Sequence, residues 1–153
     1  MLDYLKQFKV FEDLDESVLK KIASFSRLEN HKGDEVIIRE DSSDNHDLFL
    51  VLKGRVRIQV SSKFFADDKE ENKTIYTVNQ GDIFGEMSCI VNRRRSASAI
   101  TMGQSDIIRV QGDKFNKFME SDKEVGFTVL KKLYESLYER IENSNFMLRN
   151  FLI

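Results

Sequence analysis

The chain has no proline, a single cysteine, two histidines and no marked excess of either charge among its 153 residues. Without proline there is no proline-rich linker, and no other low-complexity segment takes its place. Cys89 alone cannot close an internal disulfide, which fits a reducing, cytoplasmic setting. Lysine and arginine number 24 against 26 acidic residues, so the net charge of −2 exerts no general pull on nucleic acid or an anionic membrane. No apolar run nears the roughly 20 residues that span a bilayer. The opening MLDYLKQFKV lacks the basic head and apolar stretch of a secretory signal.

What is present is an ordinary soluble composition, 41% hydrophobic and 33% charged, in a chain long enough to bury a core. Residues 2–25 are expected to be helical, with Leu14, Val18, Leu19, Ile22 and Phe25 on one stripe and Asp15, Glu16 and Ser17 at a helix start. The period then changes. Turn signals at Lys32-Gly33-Asp34, Lys53-Gly54 and Asn79-Gln80-Gly81-Asp82 separate short strand candidates at 35–39, 48–52, 55–60 and 74–78. The polar stretch Asp41–Asp47 is expected to be a loop. Residues 61–73, with Asp67, Asp68, Glu70 and Glu71 among three lysines, are expected to form a solvated hairpin tip. Further strands are expected at 97–102 and 106–110. Helical spacing returns near Lys114, with Phe115, Phe118 and Met119 on one face. Ser121-Asp122 then caps a long helix with a stripe at Leu130, Leu133, Leu137 and Ile141.

One segment carries chemistry. In GDIFGEMSCIVNRRRSASA, residues 81–99, Glu86 stands in an apolar context, and a buried carboxylate needs a partner. Gly85 lets backbone approach a ligand, and an arginine from the triplet Arg93-Arg94-Arg95 offers a charged fork for an anion. These features point to a small anionic ligand that bears hydroxyls.

The run Phe84-Gly85-Glu86, an apolar helix turn, then Arg95-Ser96-Ala97 resembles the phosphate-binding cassette of cyclic-nucleotide-binding domains. That family includes protein kinase A regulatory subunits, catabolite activator proteins and cyclic-nucleotide-gated channels. The resemblance extends to Lys32-Gly33-Asp34, the turns at Gly54 and Gly81-Asp82, and the long terminal helix. It implies a mainly β fold with flanking helices: a β-roll, jelly-roll-like or double-stranded β-helix, with an N-terminal helix and C-terminal lid helices. The implied layout is one domain over 1–153, with N-terminal helices in 1–26, the β-roll in 27–111 holding the cassette 84–97, and C-terminal helices in 112–153.

By the same resemblance the ligand is cAMP or, second, cGMP, with no other cofactor and no metal. Glu86 accepts from the ribose 2′-hydroxyl and Arg95 pairs with the phosphate. Phe84, Gly85, Met87, Ser88, Ser96 and Ala97 complete the site, and Tyr134 and Tyr138 are candidates for capping the base. Arg93 and Arg94 are expected to be solvated loop charges.

No catalysis is expected. His31 and His46 are too few for the ligand set of a cupin-type metalloenzyme, which shares the roll architecture. A helix-turn-helix unit would have to follow the long helix, and none does within this sequence, so the expected output is an effector protein or a further domain. A ligand-free protein-interaction module that keeps the fold is the alternative. The long helix is expected to be either a lid or the seam of a homodimer, with Arg140 and Glu142–Asn145 interrupting a heptad repeat. The apolar end, 146–153, is expected to dock on this chain or on a partner.

Overall fold

The computed structural model describes residues 1–62 and 71–152. The expected N-terminal helix is three pieces: α1 (Leu2–Leu5), a 3-10 turn at Lys9–Phe11, and α2 (Glu16–Ala23), which starts at Asp15 as the acidic residues suggested. Leu5, Phe8 and Phe11 are all fully buried, and three such anchors spaced by three residues are placed by breaking the helix. Burial outweighs local continuity here, since each side chain is worth roughly 1.5–3 kcal/mol.

Among the described residues eight strands follow, in two antiparallel four-stranded sheets. In chain order they are β1 (Ser26–His31), β2 (Val36–Ile38), β3 (Leu48–Lys53), β4 (Val56–Ser62), β5 (Glu71–Val78), β6 (Ile83–Phe84), β7 (Ser98–Thr101) and β8 (Ser105–Val110). The spatial orders are β1-β8-β3-β6 and β2-β7-β4-β5. Strand β4 runs on to Ser62 and β5 starts at Glu71, so both ends of the expected hairpin tip are strand; Asp67, Asp68 and Glu70 lie outside the described residues. Two strands, β1 and β6, had no counterpart in the sequence pattern.

The continuous apolar run in β3 has a simple cause. Phe49 and Val51 face the space between the sheets, with Ile38, Val56, Ile58, Phe84, Ala99 and Ile107. Leu48 and Leu50 face the helices, with Phe8, Phe11, Ile22, Cys89 and Phe115. A strand buried on both faces loses the polar alternation of a half-exposed one.

Helix α3 (Glu86–Val91) leaves β6; α4 (Gly112–Ser121) and α5 (Lys123–Phe151) close the chain. Asp122 caps α5 by accepting from the Val125 N–H at 3.2 Å. Of the expected α5 stripe only Leu133 is fully buried, joined by Val129; Leu130 and Ile141 are exposed. Residues 141–152 are exposed throughout, so the apolar end does not dock on this chain. At roughly 1.5 Å per residue the 29-residue helix outruns the sheets that could cover it.

Candidate functional site

The site begins where β6 hands the chain to α3. Gly85 takes φ 80°, the left-handed turn that lets a strand end and a helix start in one step. A Cβ there would lie 2.9 Å from both Arg95 Nη1 and the Asp47 carbonyl oxygen, so this position has no room for a side chain.

Glu86 opens α3 and is 3% exposed. It accepts a 2.8 Å charge-assisted hydrogen bond from Arg140 Nη1 of α5. The same nitrogen donates to the Tyr76 hydroxyl at 3.0 Å, and the guanidinium lies 4.6 Å from the Tyr76 ring centroid. Burial pushes the Tyr76 hydroxyl above its ordinary pKa, against the opposing pull of Arg140. Strand β5, helix α3 and helix α5 therefore meet at one carboxylate.

Arg95 is also 3% exposed. It donates from Nη1 to the Gly85 carbonyl at 3.0 Å, and from Nη2 to the Asp47 carbonyl at 2.9 Å and Asn45 Oδ1 at 3.1 Å. Burial pulls its guanidinium below the ordinary value, but an arginine keeps its charge at neutral pH. Among the described residues no carboxylate pairs with it. Glu86 and Arg95 thus do not neutralise each other.

Both side chains line one concavity of about 370 Å³, open mouth included. All eight cassette residues picked from the sequence line it: Phe84, Gly85, Glu86, Met87, Ser88, Arg95, Ser96 and Ala97. The Ser88 hydroxyl is already committed, donating to the Arg93 carbonyl at 2.6 Å and meeting His46 Nδ1 at 2.8 Å. Arg93 and Arg94 are exposed, as expected. Sequence reasoning missed Ile38, Ile58, Tyr76, Ala99 and Arg140, which complete the walls. Tyr134 and Tyr138 are not among the lining residues; both are exposed, and Tyr138 donates to Glu142 at 2.9 Å. Arg140, two residues on, is the α5 side chain that reaches the cavity.

A second concavity lies between the 3-10 turn and α5; both its lysines are engaged, Lys9 with Glu139 at 3.9 Å and Lys132 with Glu12 and Asp13 at 2.6 and 3.2 Å. Cys89 is fully buried, and that burial pushes its thiol up to about 12, which keeps it unreactive. Among the described residues no cluster of histidine, cysteine or carboxylates has the makings of a metal site, and no helix is long and apolar enough to cross a membrane.

The family model for the cyclic nucleotide-binding domain matches residues 28–122. The chain belongs to that family. Curated relatives include a cGMP-dependent protein kinase of Drosophila melanogaster, isozyme 2 forms cD5/T2, 26% identical over 125 residues that make up 80% of this chain and 13% of the kinase. The cAMP-dependent protein kinase regulatory subunit of Dictyostelium discoideum is 22% identical over 123 residues, 74% of this chain and 37% of that one. The chain therefore spans a minor part of these relatives. Among solved structures, a cyclic nucleotide-binding domain from Methylobacillus flagellatus superposes with TM-score 0.75 at 25% identity, covering 94% of this chain and 77% of the other. The regulatory domain of Toxoplasma gondii PKA, crystallised with cAMP, shares the fold with TM-score 0.70 at 22% identity, covering 88% of this chain and 48% of the other. The family is a regulatory, ligand-binding one, and the flanking-helix β-roll described above is its fold.

Proposed function

We propose that this chain is a cyclic-nucleotide sensor without catalytic activity, acting in the cytoplasm and reporting ligand through α5. The observation that carries the reading is Arg95: a buried, permanently charged fork with only neutral acceptors around it, lining the same cavity as a buried carboxylate. A buried cation without a direct carboxylate partner is expensive, and an anionic ligand repays that burial. The cyclic phosphate meets Arg95, the ribose 2′-hydroxyl donates to Glu86, and Ser96 and Ala97 flank the phosphate. The first ligand reading is cAMP; the cGMP-dependent kinase relatives make cGMP the second.

Output follows from where Glu86 is held. Arg140 brings α5 to the carboxylate that receives the ribose, so ligand that shares or displaces this contact changes how α5 is held. Ligand shifts α5 only by the difference in its affinity for the two arrangements. Val129 and Leu133 anchor the first half of α5 by roughly 1.5–3 kcal/mol each, so the movement belongs to the second half. An effector protein or a linked domain receives it.

The test is calorimetric titration of cAMP, then cGMP, into protein refolded to remove co-purified nucleotide. Saturable binding with thermal stabilisation is expected. No heat and no stabilisation in folded protein would leave an interaction module that keeps the fold. A cycle with 2′-deoxy ligand assigns Glu86: the wild type loses affinity for the deoxy form, whereas Glu86→Ala loses little more. A full further loss in the variant would remove the ribose contact from Glu86.

A second copy of this chain is the partner that fits the free face of α5. Phe127, Leu130, Tyr134, Ile141, Leu148 and Phe151 are exposed at steps of three, four, seven, seven and three, a heptad register in which half-buried Leu137 and polar Ser144 take the two positions between. Arg140 turns to Glu86 on another face and does not interrupt that spacing. Light scattering is expected to give about twice 17.9 kDa for the wild type and a monomer for Ile141→Asp with Leu148→Asp. A monomeric wild type with and without ligand would leave α5 as a lid alone.

A further inference from the structure

The three residues before β3 grip the site from behind. Asn45 Oδ1 accepts from Arg95 Nη2 at 3.1 Å and from the Asp47 N–H at 3.2 Å. His46 meets Ser88 of α3 at 2.8 Å through Nδ1. Asp47 accepts from Arg95 on its carbonyl at 2.9 Å, and from the Gly112 N–H that opens α4 on Oδ1 at 2.9 Å. Gly112 allows this closeness, since a Cβ there would overlap the His46 carbonyl.

We infer that Asn45 is a positioning residue that aims the Arg95 guanidinium at one phosphate oxygen. Three features favour it. Both groups facing Asn45 Oδ1 are donors, so the amide can present only its oxygen, and the turn to Asp47 holds it there. Two of the three acceptors on Arg95 are backbone carbonyls, so among the described residues Asn45 is the one side chain that accepts from it, while the Phe49 ring lies 5.9 Å from the guanidinium and leaves its in-plane aim to the acceptors. The acceptor is neutral, so it directs the fork without cancelling the charge that the phosphate needs, as an aspartate would.

This inference rests on the cyclic-nucleotide reading, and its test separates the two. Affinities are measured for both diastereomers of a cyclic nucleotide phosphorothioate, in which sulfur replaces one or the other exocyclic oxygen. A fork aimed at one oxygen makes the wild type prefer one diastereomer. Asn45→Ala is expected to weaken the unmodified nucleotide about 3- to 10-fold and to drive the diastereomer ratio toward one. Asn45→Asp keeps the acceptor and the turn, so it is expected to keep the ratio while weakening both diastereomers. Unchanged affinity in Asn45→Ala, an equal loss with the ratio preserved, or a wild type that does not discriminate would each overturn the assignment. A wild type that binds no cyclic nucleotide would overturn the underlying function instead. Asn45 is exposed, so its variants are expected to fold, and a thermal melt confirms it.

Discussion

Arg95→Ala is expected to weaken cyclic-nucleotide binding about 10- to 150-fold, the loss of one charge-assisted phosphate contact worth roughly 1.5–3 kcal/mol. The stability of the unliganded protein should change much less. Removing the side chain strips a donor from the Gly85 and Asp47 carbonyls, but it also removes a buried cation that no carboxylate contacts directly, with Asp47 and Glu86 acting on it only through space. These effects oppose each other, whereas in the complex they act together, because the phosphate then loses its counter-charge. Arg95→Lys should recover only part of the affinity. A lysine carries the charge as a point and cannot hold two carbonyls while presenting a fork to the phosphate. Titration alongside a thermal melt measures both quantities. Unchanged affinity in a folded Arg95→Ala variant would remove the phosphate role from this residue.

Gly85→Ala is expected to damage fold and binding together. A φ of 80° costs a non-glycine residue about 1–3 kcal/mol. The new methyl would also stand 2.9 Å from the Asp47 carbonyl, backbone that cannot swing aside, and 2.9 Å from Arg95 Nη1. Relief comes only by moving β6 away from the loop or pushing the guanidinium out of position. Gly81 supplies the control: its φ is 91°, yet a Cβ there meets nothing within 4 Å. Gly81→Ala should show the strain alone, with affinity intact. Gly85→Ala should melt several degrees lower than that, at roughly 2–4 °C per kcal/mol for a chain of this size. Equal melting temperatures and equal affinities for the two variants would mean that the crowding at Gly85 is not felt.

The cassette was legible because its parts are close in sequence and each does a job that local chemistry constrains. A glycine that must turn, a carboxylate in an apolar run and an arginine nine residues beyond it define one another. Arg140 was not legible. It lies 54 residues from Glu86, and on a helix rich in charges one arginine looks like a solvated one that breaks an apolar stripe. The tyrosines at 134 and 138 looked like the better candidates because aromatics signal burial, but the rotation of α5 is set by Val129 and Leu133, and that rotation turns both tyrosines outward. Asn45 sits in a polar stretch that composition identifies only as loop.

The strands divide in the same way. Strand β3 announced itself by five consecutive apolar residues, whereas β1, reading Ser-Arg-Leu-Glu-Asn-His, carries almost no apolar signal. Its pairing with β8 holds it in place, helped by Glu29 against Arg109 at 2.9 Å. Backbone hydrogen bonds do not depend on side-chain identity, so a strand held mainly by them leaves little trace in the sequence.

By itself, then, the amino-acid order determined the cassette, the turns and the alternation of helix, β-core and helix, because those follow from interactions within about ten residues. Only the tertiary structure decided which face of α5 meets the sheets, which residue of α5 reaches Glu86, and what stands behind Arg95. Each of those depends on groups brought together from distant parts of the chain, and the burial of Val129 and Leu133 and the packing of β3 between two layers set their positions.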